Sequence, residues 1–571
     1  MARLFCEHMK RQTQSLNGAW KLLTDPKDIG ESEGWSSSLP EGKTVSVPSV
    51  WNMERGLLTY EGVVWYEKSF YSEGGTLRFC FGAVMTEGKV WLDGKYLGSH
   101  YGGFCQFELI APDVEAGMHT LIVRVDNSFN AQSIPQAFVD WYHYGGITRG
   151  VSVETLKGIC VLSQRMEYTL SEGLDRAACR VVAELYNEGK RLKSASVNVE
   201  IDGKTVCSDT VAVRGRRTAE VVLGEFELED IRLWDIGKPE LYTISVTTDT
   251  DDLIDRVGFR KVEVKDGKVL LNGRSIEFRG VNRHEEHPEF GFAFPPSLMR
   301  RDLELALEMG CNAIRGSHYP NSKEFVDLLD EMGVMFWSEI PIWGCGFSDE
   351  ALADKVVVAR GLEMHREMLK YYYNHPCIVM WGMHNEIHLY HEAAYKMSEL
   401  YYGFLKENGG NRLVVYACNY PKEDICLEFC DLACLNMYFG WYYGYEDDAW
   451  EKFIEEFSAR LDLLGMGDKP MVMSEFGCAA MAGYHDDDSI LWSEENQAKQ
   501  LSHCVRLFHE HPKVSGSFIW QFCDIRTSRQ TGLNRARGFN NKGIVNEYRK
   551  PKLAYYAVKQ EYCAFAKEET K

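Results

Sequence analysis

The chain has 571 residues, 45% of them apolar and 26% charged, enough for three or four domains with cores of their own at roughly 150 residues each. Its 63 basic and 84 acidic residues leave a net charge of −21, which repels phosphate backbones and excludes nucleic acid and membrane surfaces as partners. No window approaches the roughly 18 apolar residues of a membrane span, and the N-terminal MARLFCEHMKRQTQSLNGAW lacks an apolar h-region and a cleavage site, so neither an anchor nor a secretory signal is expected.

From the N-terminus, short alternating runs such as TLRFCFG, KVWLDGKYLGSH and HTLIVRVDNS are separated by Gly, Asp and Asn turns. Asp93-Gly94, between apolar runs, predicts a tight hairpin. A second alternating block, SASVNVEIDGKTVCSDTVAVRGRRTAEVVLGEFELE, has immunoglobulin-domain size. Two tandem β-sandwiches are therefore expected, at 1–160 and 161–262. After Asp266-Gly267 strand-like runs alternate with helical patterns. The runs are SIEFRGVN (275–282), CNAIRGS (311–317), GVMFWSEI (333–340), CIVMWGMHN (377–385), RLVVYAC (412–418), LACLNMY (432–438), PMVMSEF (470–476) and SGSFIWQF (515–522). Eight strands, most followed by a helix, predict a (β/α)8 TIM barrel over 263–571. A doubly wound sheet would usually carry a glycine-rich first turn, and the chain has no GxGxxG.

Reacting groups of such a barrel sit where the strands end. The polar residues there are Asn282-Arg283-His284, Arg315 to Tyr319, Glu339, His384-Asn385-Glu386, Asn436-Met437-Tyr438, Ser474-Glu475 and Trp520-Gln521. Glu386 and Glu475 each close a strongly apolar strand, where an ionised group is costly unless it is used. One such Glu is more often a helix cap or an ion-pair partner. Two of them, beside a mouth holding Tyr438, Trp441, Tyr442 and Trp520, point to glycoside hydrolysis, in which one carboxyl protonates the leaving oxygen and the other attacks the anomeric carbon. Glu339, followed by Ile340-Pro341 and Trp343, reads as a buried supporting partner. His318 reads equally as a ligand-facing donor or a structural histidine.

No metal and no cofactor is expected. His284-Glu285-Glu286-His287 and His384-Asn385-Glu386-Ile387-His388 do not follow HExxH, and the second starts on a strand. Cys426, Cys430 and Cys434 are spaced as one helix face, but LACLNMY reads as a strand. Seventeen scattered cysteines without a CxxC suggest a reducing cytoplasm. A serine nucleophile has no GxSxG elbow.

The chain resembles glycoside hydrolase family 2 over essentially its whole length. VWLDGKYLGSHYGGF (90–104) and DWYHYGGITRGV (140–151) look like that family's sugar-binding domain, which implies a jelly roll for the first sandwich. FRGVNRHEEHP, RGSHYPNSKEFVDLLDEMG, WGMHNE, LNMYFGWYYG, MSEFGCAAMAGYH and WQFCDIRT follow in family order. The resemblance implies a retaining, exo-acting enzyme with Glu386 as acid/base and Glu475 as nucleophile, their carboxyls about 5 Å apart. It implies that Asn385 bonds the sugar 2-hydroxyl, that Asp140 reaches the sugar, and that His318, Asn436, Tyr438 and Trp520 line the pocket.

Within the family the chain looks most like a β-glucuronidase. Asn540 and Lys542 fit an N-x-K pair that grips the C6 carboxylate, an amide donor beside a point charge. The family's usual Arg four residues earlier falls on Ala536; Arg535 and Arg537 flank it, and either is placed to supply a second cation. The departure also fits a β-galacturonidase. A β-galactosidase fits less well, because EIPIWG lacks the Glu-x-His of the metal-dependent members. An inactive carbohydrate-binding protein is the reading of another class. Partners are then small-molecule or oligosaccharide glucuronides, with a homo-oligomer as the family norm. The short loop 284–295 predicts an open mouth that accepts bulky or oligosaccharide aglycones.

Overall fold

The computed structural model describes residues 3–344, 346–446 and 448–569; one of the cysteines, Cys345, lies outside them. Antiparallel pairing fills the first part of the chain. A six-stranded sheet, ordered 43–47, 18–25, 63–72, 117–126, 87–92, 95–101, packs on a four-stranded sheet ordered 12–15, 151–156, 75–81, 107–114. Alternation sets the two faces of strand 117–126: Leu121, Val123 and Val125 enter the main core, while Ile122 meets Trp65 and Trp91 on the other side. Asp93 and Gly94 both adopt positive φ, 50° and 79°, and join Leu92 to its partner Lys95. This is the twist-matched two-residue hairpin that the Asp-Gly pair predicts.

The next block forms sheets 159–170, 176–187, 218–229 and 204–213, 193–201, 242–247, 252–257. Val181, Ala183 and Leu185 of one sheet meet Val197, Val199, Ile244 and Val246 of the other, giving the immunoglobulin-like sandwich.

Eight parallel strands then close a barrel. They are β1 (Phe278–Asn282), β2 (Ala313–Gly316), β3 (Met335–Glu339), β4 (Ile378–Asn385), β5 (Leu413–Cys418), β6 (Ala433–Asn436), β7 (Met471–Phe476) and β8 (Val514–Ile519). The helices are α1 (Pro296–Met309), α2 (Lys323–Met332), α3 (Asp349–Ala353), α4 (Lys355–Tyr372), α5 (Glu392–Asn408), α6 (Ala449–Leu463), α7 (Glu494–Glu510), the single turn α8 (Arg529–Gly532) and α9 (Leu553–Glu569). The strands are shorter than the apolar runs at several ends. The first run starts late because Ser275 pairs in a small sheet, 262–265, 268–271, 274–275, that precedes the barrel. The eighth run stops at Ile519, so Trp520 and Gln521 belong to the loop at the mouth. Between β5 and β6 the described residues hold a 3-10 turn, Leu427–Phe429, and no α-helix.

The barrel core takes in Val139, Trp141 and Tyr144 from the first sandwich. Tyr142 N donates to Arg526 O at 3.0 Å, and Arg149 pairs with Glu285 at 2.9 Å. That burial carries the neighbouring Asp140 to the barrel mouth. The cysteines described are free thiols. Cys430 and Cys434 each donate to a backbone carbonyl, and Cys434 lies on β6. No helix among the described residues is long and apolar enough to cross a membrane.

Candidate active site

Arg315, at the end of β2, is fully buried. Its guanidinium donates twice to Glu339, at 3.0 Å each, once to Glu475 Oε1 at 2.9 Å and once to Asn385 Oδ1 at 2.7 Å. It lies over the Trp337 ring at 4.3 Å. A buried guanidinium held this way by two carboxylates is compensated on every side. Arg315 bears in the sequence the same mark as Glu386, a charge closing an apolar run, but its partners lie on other strands. Glu339 supports Arg315 and also accepts from His318 Nδ1 at 2.7 Å.

Glu475 and Glu386 sit in unlike surroundings. Glu475 accepts from Arg315 and, at 2.7 Å, from the Tyr438 hydroxyl. Glu386 accepts only the Asn436 amide, at 2.9 Å, among the described residues. Burial raises both carboxyls. Glu386 is pushed up to about 8 by burial and by the charge of Glu475. Glu475 is pushed up to about 7 by burial, with Arg315 and Tyr438 pulling it down. Arg315 and Tyr438 thus favour the charge on Glu475 and leave the proton on Glu386. Glu386 is also the first residue after β4 and adopts φ 54°, a left-handed backbone that costs a non-glycine residue of order 1 kcal/mol or more and recurs at functional sites.

The remaining pocket side chains have polar atoms left over. Asn385 Oδ1 is used by Arg315 and by Asn436 at 3.1 Å, so its Nδ2 is buried without a partner among the described residues. Asn436 Oδ1 accepts from Ser474 at 2.7 Å, which fixes the amide toward Glu386. His318 is held well below its ordinary value by burial and by Arg315. A neutral ring giving its Nδ1 proton to Glu339 keeps a lone pair on Nε2, which is buried, unpartnered and 3.8 Å from Glu475 Oε1. Trp520 stacks on His318 at 5.1 Å, and Trp141 packs on the same ring at 5.7 Å.

The structure brings Asp140, Asn540, Lys542 and Arg535 together beside this pocket. Asp140 Oδ2 accepts from Arg535 at 2.7 Å and from Asn540 at 2.9 Å, while its Oδ1 is buried and unpartnered. Burial raises this carboxyl, and Arg535 and Lys542 oppose the rise. Lys542 is 2% exposed. Its ammonium donates to the Tyr442 hydroxyl at 2.7 Å and lies over the rings of Tyr442, Tyr438 and Trp441 at 4.8, 5.6 and 5.6 Å. No carboxylate of the described residues stands at ion-pair distance from it. The loop is pinned from behind: Gln497 donates to the Lys542 and Gly543 carbonyls, and Asp524 accepts Gly543 N at 2.9 Å and Lys552 at 2.8 Å. Arg537 does not join. It pairs with Glu547 at 2.8 Å on the surface side.

Three family models match the chain. The TIM barrel domain of glycosyl hydrolases family 2 covers residues 262–567, the family's sugar binding domain 13–157, and a third domain of the family 164–260. A β-glucuronidase of Paenibacillus borealis is 26% identical over 96% of each chain. Among solved structures, a β-galacturonidase from Eisenbergiella tayi bound to galacturonate is 32% identical, with a TM-score of 0.91 over 99% of each chain. The β-glucuronidase of Ruminococcus gnavus in complex with D-glucuronic acid is 26% identical, with a TM-score of 0.85 over 98% of this chain and 99% of that one. By its three matched domains, the chain belongs to glycosyl hydrolases family 2 and is a glycoside hydrolase.

Proposed function

We propose that the chain is a retaining, exo-acting β-uronidase, with β-glucuronides as its first substrate class. The observation that carries this reading is Lys542, a buried ammonium with no carboxylate of the described residues at ion-pair distance, Asp140 acting on it only from further off. A desolvated cation is costly, and a C6 carboxylate supplies the missing counter-charge. The named relatives act on uronides, which supports the same class.

In the first step Glu475 attacks the anomeric carbon while Glu386 gives its proton to the leaving oxygen. In the second, Glu386 takes a proton from water, which displaces Glu475 from the sugar. The unpartnered Asn385 Nδ2 is the donor for the 2-hydroxyl, and His318 Nε2 is an acceptor for another hydroxyl. Asp140 Oδ1 is a further acceptor at the carboxylate end.

The test is turnover of aryl β-glucuronide, galacturonide, galactoside and mannoside. Uronides are expected to exceed the neutral sugars by roughly 10²-fold or more, the worth of one desolvated charge pair; a faster galactoside overturns the reading. Binding of a uronide without any turnover assigns a carbohydrate-binding protein instead. Galacturonides are the second reading. Ala536 stands where a family Arg is usual, and Arg535 is turned onto Asp140, next to a relative whose likeness is 32% rather than 26%. A galacturonide rate above the glucuronide rate assigns it.

The acid side of the pH profile offers a separate check. Glu475 must be ionised to attack, so activity is lost as pH falls through its raised pKa. The Tyr438 hydroxyl stabilises the charged form; Tyr438→Phe raises that pKa further. The acid limb of kcat/KM is expected to move up by about one pH unit, since a hydrogen bond to a charged group is worth about 1.5–3 kcal/mol. A limb that stays in place separates Tyr438 from the ionisation of Glu475.

A further inference from the structure

Three side chains outside the pocket converge on its rim. His388 and His391 follow Glu386 in the loop after β4, and Asp349 is the first residue of α3, after β3. We propose that Asp349, His388 and His391 form a binding site for a divalent transition-metal ion of the Zn2+ class.

The two oxygens of one carboxylate each face a different imidazole through the same ring atom. Asp349 Oδ1 is 3.4 Å from His388 Nδ1, and Asp349 Oδ2 is 3.0 Å from His391 Nδ1. All three ligand atoms lie within 4.8 Å of one another. Zinc bonds of about 2.0–2.2 Å set tetrahedral ligand atoms about 3.4 Å apart, so an ion enters with little movement.

The ligands are held before an ion arrives. Ser348 caps α3 and starts it at Asp349. His391 N donates to His388 O at 3.0 Å, making one turn of the pair. Tyr390 packs on His391 at 4.6 Å, on His388 at 5.4 Å and on Tyr420 at 5.2 Å, which fixes both rings. The side chains of Asp349 and His391 are 40% exposed and that of His388 is 21% exposed, so an ion and its remaining ligands reach the site from solvent.

A comparable triad elsewhere shows the difference. Asp327, Asp330 and His375 also lie together, but Asp327 is already neutralised by Arg3 at 2.8 Å, with Arg256 at 3.7 Å. At the rim no Lys or Arg of the described residues stands at ion-pair distance from Asp349, and the chain's net charge of −21 favours a cation. Two imidazoles with one carboxylate suit Zn2+, Ni2+ or Co2+; Mg2+ and Ca2+ prefer all-oxygen sets. The spacing along the chain pairs His388 with His384. That histidine is buried on β4 and bonds Ser398 at 2.8 Å. The true partner, Asp349, lies in another loop.

The experiment titrates Zn2+ and Co2+ into chelator-treated full-length protein by calorimetry and visible absorption. The wild type is expected to take up one more equivalent than H388A/H391A and D349N, and to gain Tm with Zn2+ where the variants do not. Bound Co2+ is expected to show d–d bands without a thiolate charge-transfer band, which separates this site from cysteine binding. Metal-free turnover of an aryl uronide is expected to persist in the variants and reports that they fold. Equal uptake by wild type and variants, or a thiolate band on the extra equivalent, overturns the proposal.

Discussion

Glu475→Ala is expected to lower kcat on an aryl β-uronide by roughly 10⁴-fold or more, as removal of a nucleophile does in enzymes that work through a covalent intermediate. The loss is chemical and leaves the fold in place. Arg315 keeps two 3.0 Å hydrogen bonds to Glu339 in the variant, so no buried guanidinium is left bare. Glu386→Ala should behave differently. An aryl leaving group needs little protonation, so the first step persists, while the second lacks its base and slows by roughly 10²–10⁴-fold. Azide attacks the covalent intermediate without a base and should restore turnover in Glu386→Ala with the β-glycosyl azide as product, whereas an azide product of Glu475→Ala would be the α anomer. A 2-deoxy-2-fluoro uronide should leave its sugar on the wild-type peptide that carries Glu475. Full turnover by Glu475→Ala, or the label on another peptide, removes the mechanism.

This asymmetry comes from surroundings and not from residue type. Glu475 is buried and Glu386 partly buried at the mouth, and one faces a guanidinium and a phenol while the other faces a neutral amide. Pairs of carboxyls whose environments separate their proton affinities are how one site supplies an acid and a nucleophile together.

How much of this was legible in the sequence depends on how local each signal is. Period-two alternation showed the sandwiches, and the Asp93-Gly94 turn could be placed to the residue because two left-handed residues need those types. The barrel strands were legible because burial on both faces makes near-continuous apolar runs. Within those runs a charge is conspicuous, which is why Glu386 and Glu475 stood out. Arg315 carried the same mark. Its role was hidden because it depends on three partners from β3, β4 and β7, and no window along the chain holds them. Asp140 was invisible to local reading: it reaches the barrel mouth only because Trp141 and Tyr144 bury in the barrel core. The flanking arginines could not be told apart in sequence. A left-handed residue at Arg537 (φ 57°) separates the two side chains, sending one to Asp140 and the other to Glu547.

Lys542→Met is expected to lower kcat/KM for a uronide by roughly 10²- to 10³-fold, about 3–4 kcal/mol for a desolvated ion pair that loses one member. The aryl galactoside, which has no carboxylate, should lose far less, so the uronide-to-galactoside ratio collapses. The stability change separates this from damage. In the free enzyme Lys542 is a buried cation whose described hydrogen bond is to Tyr442, among three aromatic rings. Cation–π contact returns part of the desolvation cost, but a methionine of similar length returns the apolar contact without the charge. Tm of the ligand-free variant should therefore equal or exceed that of the wild type, whereas a residue serving the fold alone would lower it. Free uronate should raise Tm in the wild type and not in the variant. An unchanged uronide rate ends the case for Lys542 as the carboxylate's partner. It would then fall to Arg535, already paired to Asp140, to draw an anionic sugar into an acidic protein, and Asp140→Asn would have to strengthen uronide binding by freeing that guanidinium.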